Sequence, residues 1–138
     1  MKYLKLIYLS TFCCLISILS FLNILYSYYL NLYLNLNTYV WTFFISLFFA
    51  IIFYYSKDNL EKKDSIYEKI ATVIFGYFFL PLIITIPFYF SIYNLTFISS
   101  YFEAISGFTS TGFSIFNNVK HLDQSLIIWR SSSQWIGG

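Results

Sequence analysis

From Leu6 to Ser56 the chain carries no Asp, Glu, Lys or Arg, an uncharged run about twice the roughly 20 residues that one membrane-spanning helix needs. Such a run calls for two helices and a break. The break stands at "NLYLNLNTY", Asn31 to Tyr39, where three asparagines interrupt the apolar residues, so helices are expected over 6–28 and 39–55, with residues 1–56 forming an N-terminal pair. Lys2 and Lys5 ahead of the first apolar run resemble the start of a signal peptide. The run exceeds the usual 7 to 15 apolar residues of such a peptide, and no small-x-small cleavage site follows, which favours an uncleaved anchor.

Composition agrees: 59% of the 138 residues are hydrophobic and 10% are charged, against about 25% charged in a soluble domain. A net charge of +2, with no basic stripe on a polar face, argues against a nucleic-acid partner. Cys13 and Cys14 are adjacent within an apolar run, where neither a disulfide framework nor a metal site is expected. Phe12 ahead of them does not suit a lipoprotein cysteine.

The strongly charged segment is "KDNLEKKDSIYEK", Lys57 to Lys69, with four lysines and four acids. Lys and Arg in short loops mark the cytoplasmic side, and acids count little. Residues 57–69 are therefore expected to form a cytoplasmic loop, on the same side as the N-terminus, as two spans require. A third apolar run over 70–93, with Pro81 and Pro87 inside it, is long enough to cross outward, and proline is tolerated where neighbours satisfy the freed carbonyl.

"NLTFISSYFEAISGF", Asn94 to Phe108, is too polar and short to cross back. Asn94 or Thr96 can cap a helix whose apolar residues recur at helical spacing, expected over 95–108, and about twelve helical residues reach only about 18 Å, a little over half of an apolar layer roughly 30 Å thick. The Asn94-Leu95-Thr96 sequon lies where that helix begins and is taken as incidental. "SGFTSTGFS", Ser106 to Ser114, follows, and a last apolar run begins at Ser125 and stops at Gly138. An ordinary domain does not end part-way into a helix, so the chain is expected to be the front part of a longer protein or a truncated product.

Three chemistries compete for the hydroxyl-rich loop. Gly107 and Gly112 have the spacing of a phosphate loop, but Phe113 stands where lysine is required. A nucleophile elbow fails because Gly107 and Ser110 are one residue too far apart, and the one histidine, His121, reads as an exposed loop residue. A cation path needs backbone carbonyls in place of water, irregular backbone facing a wet cavity, glycine beside it and a short helix whose negative dipole end points at the cation. The order spanning helix, short helix, Thr-Ser-Thr-Gly-Phe, spanning helix supplies these parts. An ordinary polar extracellular loop accounts for the same composition equally well.

"YFEAISGFTSTGFS" followed by "LDQSLIIWRSSSQWIGG" resembles the first pore repeat of the Trk/Ktr/HKT superfamily of potassium transporters, most of all its bacterial TrkH branch. The motif spans Phe102 to Gly138, with Arg130, Gln134, Trp135, Gly137 and Gly138 in the family's places, and the two extra helices and charged loop match the TrkH topology.

The resemblance implies an all-α integral membrane fold and one repeat over 70–138. In it a first helix over 70–93, a re-entrant pore helix over 95–108 and a filter over 109–113 precede an incomplete second helix over 125–138. It implies potassium uptake across the bacterial cytoplasmic membrane, with K+ held by the backbone carbonyls of Thr109, Ser110, Thr111 and Gly112. Phe113 would pack behind the filter, Glu103 would hold the loop by hydrogen bonds, and Arg130 would anchor the second helix. No bound cofactor is implied. The implied partners are membrane lipid, the remaining pore repeats, a second copy in a homodimer and a cytosolic nucleotide-binding regulatory ring.

Two other classes compete. A membrane-embedded enzyme rests only on Ser131 to Ser133 and His121, without a carboxylate pair or His/Cys cluster, so the chain is expected not to be an enzyme. A small helical accessory protein, or an inactive truncated product, needs only lipid-facing helices.

Overall fold

The computed structural model describes residues 6–56, 66–116 and 122–138. They form five α-helices and no strand: α1 Leu6–Tyr29, α2 Leu36–Tyr55, α3 Ile66–Tyr89, α4 Phe97–Phe108 and α5 Gln124–Gly137. The first three are each long and apolar enough to cross a membrane, as in a helical multi-pass membrane protein. Lys2, Lys5, Lys120, His121 and most of the charged loop lie outside the described residues.

Polar and apolar side chains are arranged inside out relative to a soluble domain. Along α1 the buried positions include Ser10, Cys13, Ser17, Ser20, Asn23 and Ser27, while Tyr8, Leu22 and Leu25 are exposed. On α2, Thr38, Thr42, Ser46 and Ala50 are buried and Trp41, Phe44 and Phe48 exposed. Small residues let two helices approach closely where lipid offers no hydrophobic drive. Ser10 Oγ donates to the Ala50 carbonyl at 2.8 Å and Ser20 Oγ to the Tyr39 carbonyl at 2.7 Å, which fixes α1 and α2 as an antiparallel hairpin.

Several boundaries differ from those expected. Helix α2 begins at Leu36 rather than near residue 39, so Asn37 lies within its first turn and the break closes on Asn31, which takes the left-handed conformation at φ 56°. Helix α3 begins at Ile66, inside the segment assigned to the charged loop, because Ile66 and Tyr67 extend the helical run and Glu68 sits in its first turn. It ends at Tyr89 rather than at 93, where Ser91 donates to the Phe88 carbonyl and Asn94 turns the chain at φ 48°. Helix α4 starts at Phe97, with the Thr96 hydroxyl accepting from Ser99 N–H.

Each proline of α3 removes a backbone donor. The carbonyls this frees are those of Tyr77 and Ile83, and in both cases the next carbonyl along takes a donor from a neighbouring helix: Tyr101 OH bonds to Phe78 O at 3.0 Å and Trp129 Nε1 to Ile84 O at 3.1 Å. These contacts also set direction. Helix α4 runs back along α3, with Phe97 against the ring of Tyr89 and Phe108 against that of Tyr77. A helix of 12 residues covers about 18 Å, so α4 stops beside the middle of α3. Helix α5 starts level with Tyr93, whose hydroxyl accepts from Asp123 N–H at 2.7 Å, passes Ile84 and ends against Phe108.

Candidate cation-binding loop

The chain leaves α4 at Phe108 and returns along it. Phe113 O accepts from Ser106 Oγ at 2.5 Å, and one turn further back Ser114 Oγ and Ile115 N–H both donate to the Glu103 carboxylate, at 3.1 and 3.0 Å. Residues 109–115 thus climb from mid-height of the bundle toward the start of α5. They can do so because Ser110 and Gly112 take positive φ values, 54° and 78°. Only glycine adopts that region without strain.

Glu103 is fully buried. Arg130 Nε meets its Oε1 at 2.5 Å, and the second arm of the guanidinium, Nη2, donates to Gly112 O at 3.2 Å. A carboxylate without water needs several donors and a counter-charge. Here the loop and α5 supply both, so one pair ties α4, the loop and α5 together. Ser110 Oγ adds a bond to Gln134 O at 2.9 Å. The end of α5 seats directly on the end of α4: a Cβ added at Gly137 would overlap the Phe108 carbonyl, so only glycine permits this approach.

The four carbonyls expected to face a cation are not equivalent. Gly112 O is taken by Arg130, because a guanidinium paired through Nε still has a donor to place. Among the described residues no donor is directed at the carbonyls of Thr109, Ser110 or Thr111. The hydroxyls of Thr109 and Thr111 are turned instead to Ile105 O and Ser106, and lie 3.3 Å from each other. Phe113 is 70% exposed in this chain, and its carbonyl accepts from Ser106 Oγ. Ser131 is exposed and donates to Ile127 O within its own helix, while Ser133 donates to Arg130 O; neither meets a base. No group of three or more His, Cys, Asp or Glu side chains gathers among the described residues.

Sequence reasoning missed Ser106, Ser114 and the Gln134 carbonyl. The run of hydroxyl residues around Gly107 and Gly112 was the available signal, but the bonds run to backbone atoms, which no residue pattern announces.

No family model matches the chain. A protein of Methanocaldococcus jannaschii named as an uncharacterized cation transporter is 30% identical over 109 residues, which is 78% of this chain and 23% of that protein. The chain thus spans about a quarter of the length of the relative it matches.

Proposed function

We propose that this chain is the N-terminal part of a Trk-type transporter that takes up potassium across the cytoplasmic membrane. In this reading α1 to α3 cross the membrane with the N-terminus in the cytoplasm, α4 is a re-entrant helix, and the carbonyls of Thr109, Ser110 and Thr111 form one wall of a fourfold cation site. The observation that carries it is the return of α4 to the level of Tyr77, followed by three consecutive carbonyls with no donor among the described residues. Carbonyls left unpaired at membrane depth are tolerated where they face a wet path, and there they can replace the hydration shell of a cation. The named cation transporter at 30% identity supports the same class. Glu103 and Arg130 neutralise each other, so the pair braces the loop without presenting a net charge to the ion.

One loop is a quarter of such a site, and the other walls come from the remaining repeats of the intact protein. The test is Gly112→Ser in the full-length protein carrying this sequence, expressed in cells that lack other potassium uptake. A side chain at φ 78° strains the loop although the space there is open, and sodium is expected to compete with rubidium uptake. An unchanged preference for rubidium over sodium would remove the filter assignment.

A further inference from the structure

Asp123 stands at the N-cap of α5 yet makes no side-chain cap bond, although an aspartate there ordinarily caps the helix. Its carboxylate is engaged elsewhere: Oδ2 accepts from Asn35 Nδ2 at 2.9 Å and from Ser125 Oγ at 2.6 Å. Asn35 is fully buried at the junction of α1 and α2, and its Oδ1 accepts from Ile92 N–H at 3.4 Å, just beyond α3. Two further groups of the hairpin reach the same place, Asn23 Nδ2 donating to Ser125 O at 3.2 Å and Tyr39 OH lying 3.0 Å from Ser125 Oγ.

From this geometry we infer that the α1–α2 hairpin positions the cation loop, with Asn35 and Asp123 as the positioning pair. The inference rests on the reading of the Thr109, Ser110 and Thr111 carbonyls as the cation site. Among the described residues no hydrogen bond joins the hairpin to the loop itself, so its influence passes through α5. Arg130 and Gln134 lie on that helix and hold Gly112 O and Ser110 Oγ, Arg130 about 10 Å along the axis from Asp123. The far end of α5 abuts Phe108 at Gly137. With one end seated on α4 and the other tied to the hairpin, α5 cannot slide or tilt without carrying Arg130 and Gln134 with it. A binding site needs its ligands held within about 0.5 Å by the shell behind them, and the Asn35–Asp123 bond is the outermost part of that shell.

The test compares the wild type, Asn35→Asp and the exchanged pair Asn35→Asp with Asp123→Asn, in the full-length protein carrying this sequence. Asn35→Asp sets two carboxylates against each other. Amide hydrogen exchange over residues 109–116 is expected to quicken about tenfold, the equivalent of one buried hydrogen bond. The rubidium-over-sodium preference is expected to fall at matched membrane abundance. The exchanged pair should restore both, because the new amide at position 123 donates to the new carboxylate at position 35, which still accepts from Ile92. Loss of abundance with unaltered exchange and unaltered preference would reduce the pair to a folding contact and overturn the inference, as would an exchanged pair that restores neither. If the wild type takes up neither cation, the cation reading falls, and the exchange measurement alone decides whether the pair positions the loop.

Discussion

In the α1–α2 hairpin most buried polar side chains are small hydroxyls that bond to helix carbonyls, Ser10 and Ser20 to those of Ala50 and Tyr39 on the facing helix and Thr42 and Ser46 to those of their own. Around α4 and α5 buried serines are joined by a buried carboxylate and a partly buried guanidinium, which pair with each other and bond to an irregular loop. Two regular helices already satisfy their own backbones, so the hairpin needs only close approach. A loop without i to i−4 bonds leaves N–H and C=O groups unpaired, and long side chains with several donors or acceptors must reach them. A charge inside a helical membrane bundle therefore marks where the backbone stops being regular.

The largest effect expected from that contrast is at the ion pair. Glu103→Ala leaves Arg130 without its counter-charge, and breaking a buried pair from one side costs about 3–5 kcal/mol. Thermal unfolding in detergent should show it, and a loss below about 1 kcal/mol would mean that the pair is solvated. Next comes the α4–α5 seat: Gly137→Ala should cost about 1–3 kcal/mol as overpacking, with α5 displaced and the Ser110–Gln134 bond lost, visible as faster exchange at Ser110. A tolerated alanine there would show that the two helix ends are not in contact. In the hairpin, Ser17→Leu places a large side chain at a position 3% exposed and should cost a comparable 1–3 kcal/mol, but with the loop's exchange rates unchanged. Equal disturbance of loop and hairpin would erase the distinction between them. The smallest effect belongs to Ser10→Ala, which removes one interhelical bond worth about 0.6 kcal/mol in a membrane protein; a cost of several kcal/mol would mean that hydroxyl bonds, and not close approach, hold the hairpin.

Much of the helix plan was legible in the chain. The uncharged run to Ser56, the asparagine break, the apolar run holding Pro81 and Pro87 and the short amphipathic stretch ending at Phe108 are local features, and local features set how long each helix can run. Boundaries were read less well where flanking residues are ambiguous, as at Ile66 and Tyr67, which are apolar residues inside a charged segment. Of the candidate site, Glu103, Arg130 and the loop were visible as residue types. That the Phe113 carbonyl is held by Ser106 was not visible, because a backbone acceptor gives no sign in the sequence.

By itself, then, the sequence determined the number of long apolar helices, the existence of a helix too short to cross, and the hydroxyl-rich loop after it, because run length and 3.6-residue periodicity act over neighbouring residues. The tertiary structure alone decided that Gly112 O goes to Arg130 while the carbonyls of Thr109, Ser110 and Thr111 take no donor among the described residues, and that Asp123 meets Asn35 as well as Ser125 of its own helix. Those choices are made between groups far apart in the chain, through backbone atoms that every residue shares. Only the packed arrangement of the helices brings such groups within hydrogen-bonding distance.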